Sequence, residues 1–291
     1  ADLDYAIGGF DAYATSNVLK GSGLSSSAAF EVLIGVILSH LYNDGKVSAV
    51  EIAQIAQYAE NVYFGKPCGL MDQMASSVGG MVCIDFADPA NPIVEKITFD
   101  FQKAGYRLCI IDSGADHADL TNEYAAITQE LKSVCAFFGK EYLQQISETD
   151  FMDSLPRLRG KVSDRAILRA IHVYQENKRV KAQVKALKEQ DLDAFLRLVT
   201  ASGHSSWRYL QNICPAGAVD HQPVAYALAL CDMLLQGKGA YRVHGGGFAG
   251  TVQAFVPIEM LDTFQKTIED NLGAGSCHLL NIRPNGGTRI Q

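Results

Sequence analysis

No run of eighteen or more apolar residues occurs in the sequence, which excludes a helical membrane span. No CxxC pair occurs either. The seven cysteines (Cys68, Cys83, Cys109, Cys135, Cys214, Cys231 and Cys277) are scattered and odd in number, a pattern of reduced thiols rather than of a disulfide framework or zinc site. The seven histidines lack metal-ligand spacing. Positive charge is scarce: 25 Lys and Arg stand against 32 Asp and Glu, a net charge of -7. That balance argues against nucleic acid or an anionic membrane as partner. The chain opens on Ala1 without a basic segment ahead of an apolar one, so no signal peptide is read and a cytoplasmic location is expected. Internal repeats, low-complexity tracts and heptads are missing too.

What is present is ordinary globular composition, 48% hydrophobic over 291 residues, long enough for two cores. Ala28, Ala29, Val32, Leu33, Val36, Ile37 and Leu41 recur at helical spacing. Ser48-Ala49-Val50-Glu51 is a capping box that opens a second helix through Ile52, Ile55, Ala56 and Ala59. A short helix ends at Gly79-Gly80, and residues 81–86 and 94–99 read as strands joined by a proline-containing turn. Residues 106–112 are a buried strand, and a domain boundary is placed just before it, giving domains 1–104 and 105–291. The second half is predicted to hold helices over 122–138, 164–189, 192–201, 223–235 and 258–272. Its further strands are expected over 240–244, 251–256 and near 277–282. Helices and mostly antiparallel strands in mixed order indicate an α+β fold.

The stretch GSGLSSSAAFEVLIGV, residues 21–36, puts two glycines and three serines ahead of a helix. One serine suffices for an N-cap. A glycine-rich loop at a helix N-terminus is also an anion site, since free N–H groups and the helix dipole favour negative charge there. Three known loops fail the test. No lysine follows Gly23 as GxxxxGK[ST] requires, residue 26 is serine where GxGxxG needs glycine, and GxSxG is absent. On spacing alone, a triphosphate site and a decorated cap both stand.

Gly21-Ser22-Gly23-Leu24-Ser25-Ser26-Ser27-Ala28-Ala29 resembles the second signature motif of the GHMP small-molecule kinases. Arg242-Val243-His244-Gly245-Gly246-Gly247-Phe248-Ala249-Gly250 is similar to their third, with Ala249 replacing a glycine. Ala59-Glu60, the run from Pro67 to Gln73 (PCGLMDQ), and Ile282-Arg283-Pro284 resemble the galactokinase branch. The resemblance covers nearly the whole chain in order. It implies a ribosomal-S5-like N-terminal domain, a ferredoxin-like C-terminal domain, and ATP-dependent phosphorylation of galactose to galactose 1-phosphate with Mg2+.

The residue roles follow from the resemblance alone. It places ATP phosphates on Gly21, Ser22, Gly23, Leu24, Ser25, Ser26 and Ser27, with Gly246 and Gly247 near the nucleotide. Mg2+ falls to the Ser27 hydroxyl and the Glu60 carboxylate, though by itself Glu60 reads as a solvated helix-end acid. Asp72 becomes the carboxylate beside the sugar's anomeric hydroxyl, as base or orienting group, where the bland reading is a helix cap. Tyr124 becomes a sugar contact, or packs on its own helix. Cys68 is assigned no chemistry, and His244 reads as structural.

The family's first motif, with its sugar-binding acids and catalytic arginine, is absent; the first twenty residues contain no arginine. The sequence is therefore expected to be a fragment or a shortened relative that phosphorylates galactose poorly or not at all by itself. Competing readings are a kinase for N-acetylgalactosamine, arabinose or mevalonate, a non-catalytic ATP and sugar sensor, and a folded fragment without ligand. ATP and a small sugar are the expected partners.

Overall fold

The periodic stretch behind the serine run folds as α1 (Ser26–Tyr42), burying Ala28, Val32 and Val36 along one face. In this computed structural model the described residues are 3–16, 24–65, 68–88, 91–115, 120–248 and 250–290. They belong to two compact units, one of residues 1–98 with 282–291, the other of residues 99–281.

In the first unit, α2 (Ala49–Tyr58) starts on the capping box read from sequence: Ser48 Oγ accepts from the Glu51 amide at 3.2 Å, and Glu51 Oε2 accepts from the Ser48 amide at 3.0 Å. The helix runs on into a π-helical turn, Ala59–Tyr63. After a loop come α3 (Met71–Val78) and the antiparallel pair β1 (Met81–Asp85) and β2 (Ile93–Ile97), with Met81 opposite Ile97. Val32, Val36 and Ile52 form one small core, and Ala53, Leu70 and Met74 another. Gly79 stops α3 at φ 67°, and a Cβ there would fall 2.1 Å from the Gly286 amide nitrogen. The approach is that close because the Gly80 amide donates to the Arg283 carbonyl at 2.8 Å. Residues 282–291, read from sequence as the end of the second domain, thus group with the first unit.

The second unit opens with β3 (Tyr106–Asp112) and α4 (Thr121–Phe137). Two short helices unread in the sequence follow, α5 (Glu148–Asp153) and α6 (Leu155–Leu158), then α7 (Asp164–Lys188) and α8 (Leu192–Ser205). A π-helical turn, Ser206–Leu210, ends α8 and leads to α9 (Pro223–Leu235). Then come β4 (Ala240–Val243), β5 (Thr251–Pro257), α10 (Leu261–Leu272) and β6 (Cys277–Leu280). The sheet order is β4-β5-β3-β6, antiparallel throughout. With the α4–α9 region counted as one crossover, this is the β-α-β-β-α-β arrangement of ferredoxin-like domains. The expected α+β class holds. The core lies between sheet and helices: Ile111, Val252 and Ala254 meet Val224 and Leu228 of α9 and Phe264 and Ile268 of α10. Each such fully buried aliphatic or aromatic side chain contributes about 1.5–3 kcal/mol. Among the described residues no helix is long and apolar enough to cross a membrane.

Candidate active site

The start of α1 departs from an ordinary cap. Ser25 holds the N-cap position at φ 56°, ψ 50°, and its side chain makes no capping hydrogen bond. The decorated-cap reading of the serine run therefore fails at Ser25. A non-glycine residue in left-handed geometry costs about 1–2 kcal/mol, and such strain clusters at binding sites. Gly21, Ser22 and Gly23 lie outside the described residues. Leu24 is half-buried, while Ser26 and Ser27 are exposed in the first helical turn; the helix begins two residues earlier than expected, so Ser27 lies within it.

Glu60 is no solvated helix-end acid: it is 4% exposed. It sits in the π turn, where the extra residue re-aims side chains relative to a plain α-helix. Ser27 Oγ donates to Glu60 Oε1 at 3.4 Å. Gln73, 1% exposed, donates from Nε2 to Glu60 Oε2 at 2.8 Å and to Glu31 Oε2 at 3.2 Å. One amide thus bridges two carboxylates that would otherwise repel each other. Gln73 Oε1 is buried and has no hydrogen-bond partner among the described residues. The result is a cluster of oxygen donors at the start of α1, which suits a hard cation such as Mg2+. The described residues contain no group of three or more His, Cys, Asp and Glu side chains placed to hold a metal. Glu31 was not singled out in the sequence, and Gln73 was read only as the end of the PCGLMDQ run, with no role assigned to it. The available signals were position: Glu31 lies one turn after Ser27 on the same helix face, and Gln73 follows Asp72.

The segment entering α3 is tied to the helix that carries Glu60. The Cys68 amide donates to Asn61 Oδ1 at 2.7 Å, and the Cys68 carbonyl accepts from Gln57 Nε2 at 3.2 Å and Asn61 Nδ2 at 3.3 Å. Burial, with Glu60 nearby, pushes the Cys68 thiol up to about 11, so it stays protonated at neutral pH and is no thiolate nucleophile. Asp72 is exposed in the first turn of α3. Leu70, not Asp72, occupies that helix's N-cap.

In the second unit the glycine turn after β4 has three left-handed residues in four, Gly245 at φ 63°, Gly247 at φ 85° and Phe248 at φ 61°. Phe248 is 2% exposed and plugs the turn into the unit. Tyr124 of α4 donates from its hydroxyl to the Gly247 carbonyl at 2.8 Å, and its ring meets Phe248 edge-on at 5.4 Å. Burial pushes the Tyr124 pKa up, which keeps that hydroxyl a donor. Ala249 lies outside the described residues. His244 Nδ1 lies 3.3 Å from Gln253 Oε1, across the β4–β5 pair.

Residues 2–80 match the family model described as "GHMP kinases N terminal domain". Over 292 residues the chain is 30% identical to the galactokinase of Streptomyces coelicolor, covering 99% of this chain and 72% of that protein. The chain belongs to the galactokinase family. Among other family members, the galactokinase of Actinobacillus pleuropneumoniae serotype 3 is 32% identical over 263 residues, and that of Glaesserella parasuis serovar 5 is 34% identical over 271 residues. The chain spans 65% and 66% of the lengths of these two galactokinases. The structure of Lactococcus lactis galactokinase complexed with galactose superposes with a TM-score of 0.73 at 26% identity, covering 94% of this chain and 69% of that one. L. major mevalonate kinase shares the fold at a TM-score of 0.56 and 15% identity. The galactokinase family and its two-unit α+β fold are thereby established for this chain.

Proposed function

We propose that this chain handles ATP and a sugar as a galactokinase-type kinase, moving the γ-phosphoryl group of ATP onto the anomeric hydroxyl of galactose. The observation that carries the reading is the buried Glu60 carboxylate within 3.4 Å of Ser27 Oγ at the N-terminus of α1. A helix start with free N–H groups favours phosphate, and an adjacent buried carboxylate suits the cation that accompanies it. Family membership and the galactose-bound L. lactis relative support galactose as the acceptor.

In this reading Ser27 and Glu60 would hold Mg2+ through their side-chain oxygens. The cation, once bound, neutralises charge on the phosphates. By family resemblance residues 21–27 are assigned to those phosphates, and Gly246 and Gly247 to the nucleotide. Asp72, exposed and held in the first turn of α3, accepts the proton of the sugar hydroxyl as the new O–P bond forms and the β,γ-bridging P–O bond breaks. The chain acts in solution.

The test is ADP release from Mg-ATP with galactose, N-acetylgalactosamine or mevalonate, alongside a thermal shift with Mg-ATP. Release dependent on galactose, with stabilisation by Mg-ATP of about 2.7 kcal/mol at a hundredfold excess over Kd, is expected. Neither stabilisation nor release with any acceptor would overturn the reading.

A further inference from the structure

Gln73 is a buried polar side chain of the first unit to which the reaction proposed above gives no role. Its Nε2 group donates to Glu60 Oε2 at 2.8 Å and to Glu31 Oε2 at 3.2 Å, and lies 3.5 Å from Cys68 Sγ. An amide nitrogen carries two hydrogens, so these three acceptors exhaust it. Ionised carboxylates only accept hydrogen bonds, so Oε1 cannot take the place of Nε2. Glu31 and Glu60 therefore fix which way round the amide lies. The three residues come from separate elements: Glu31 from α1, Glu60 from the π turn after α2, and Gln73 from α3. Glu60 is thereby held from both sides, its Oε1 by the Ser27 hydroxyl and its Oε2 by Gln73.

That orientation leaves Gln73 Oε1 beside Glu60 Oε2, on the same carboxamide as the donor. Oε1 is buried and has no hydrogen-bond partner among the described residues. Buried amide oxygens are nearly always paired, so this one points to a donor that arrives with a ligand. Glu31 and Glu60 carry acceptors only, and the Ser27 hydroxyl is given to Glu60. A hard cation such as Mg2+ dehydrates reluctantly and keeps several waters, whose hydrogens are strong donors. Acceptors just outside the coordination shell orient such sites.

We propose that Gln73 is a positioning residue of the cation site. Its Nε2 group aims the Glu60 carboxylate, and its Oε1 accepts a hydrogen bond from water carried on the cation that Ser27 and Glu60 hold. The water clause rests on the function proposed above; the bridge between Glu31 and Glu60 does not. Asp72, assigned to the sugar, precedes Gln73, so a sugar hydroxyl is the competing donor, and measurement separates the two.

The bridge is read without any ligand. The Gln73 side-chain amide protons, identified in nitrogen–proton correlation spectra by their loss in Gln73→Leu, should exchange slowly with solvent in the unaltered chain. Glu31→Ala should speed that exchange about tenfold, as loss of a charge-assisted hydrogen bond requires. Exchange indifferent to Glu31→Ala overturns the bridge. The water clause is read with Mn2+ and ADP on the chain labelled with 13C at glutamine Cδ. Electron–nuclear double resonance should show a weak coupling, that of a carbon outside the coordination shell, which vanishes in Gln73→Leu and does not respond to galactose. Mn2+ retention should weaken about tenfold in that variant and in Gln73→Met, which matches glutamine in length. Loss of cooperative unfolding in both variants shows a structural role and overturns the positioning one. A strong coupling, that of a directly ligating amide, overturns the water clause. No coupling with Mn2+ bound, or coupling only with galactose present, overturns it too. If the unaltered chain takes up no Mn2+, the cation reading fails together with the water clause, and the exchange measurement still decides the bridge.

Discussion

The oxygen cluster of the first unit and the glycine turn of the second bear on the same proposed reaction but are built in opposite ways. The cluster is made of functional side chains held by one another: Ser27, Glu31, Glu60 and Gln73 supply both the chemistry and the hydrogen bonds that arrange it. The turn offers backbone and holds it by remote anchors, Asn212 and Tyr124, at separations of 34 and 123 residues from their partners. A site that presents charged side chains can be assembled from a few adjacent helices. A site that presents bare backbone must borrow its rigidity from elsewhere in the fold.

Substitutions sharpen the contrast. The largest effect is expected at Glu60: Glu60→Gln should weaken Mn2+ retention with nucleotide by more than the roughly 10- to 100-fold typical of outer-shell partners, while thermal unfolding changes little. Phe248→Ala should do the reverse, costing about 3–5 kcal/mol of stability in urea unfolding of the second unit because its buried ring leaves a cavity. Equal losses of stability at the two positions would break the comparison. Gln73→Leu removes the shared donor between two carboxylates and should weaken Mn2+ binding about tenfold, read by titration. The smallest effect is at the capping box, where Ser48→Ala should cost about 1 kcal/mol.

The same box carries a pH signature. Hydrogen bonds from Ser48 and Tyr5 hold the Glu51 carboxyl below its usual range, Ser48 being the larger cause. A carboxyl lowered in the folded state contributes stability above its unfolded pKa and loses it as pH falls through the lowered value. The stability advantage of the native chain over Glu51→Gln should thus be present at pH 6 and vanish near pH 3 in thermal melts. An advantage that persisted at pH 3 would show that the carboxylate is not its source.

The local elements were legible because local chemistry specifies them. The Ser48–Glu51 box, the apolar stripe of α1 and the strand Tyr106–Asp112 each carry their signal within a few residues. Glu60 was legible only through family resemblance, since nothing near it in sequence reports that a π turn and Gln73 bury it. The left-handed N-cap at Ser25 was hidden for the same reason, a serine run being a good cap by propensity. Asn212 carried no signal at all: its partners lie across β4, and only the folded chain joins them. The return of residues 282–291 to the first unit depends on glycine-to-glycine contact between Gly79 and Gly286, which composition cannot reveal.

The central claim is that Ser27 and Glu60 form one cation site at the start of α1. Titration of Mn2+ into the chain with ADP, followed by electron paramagnetic resonance, tests it most directly. Uptake of Mn2+ together with nucleotide is expected for the unaltered chain, and its loss in Glu60→Gln. Equal uptake by the two, or none by the unaltered chain, would contradict it.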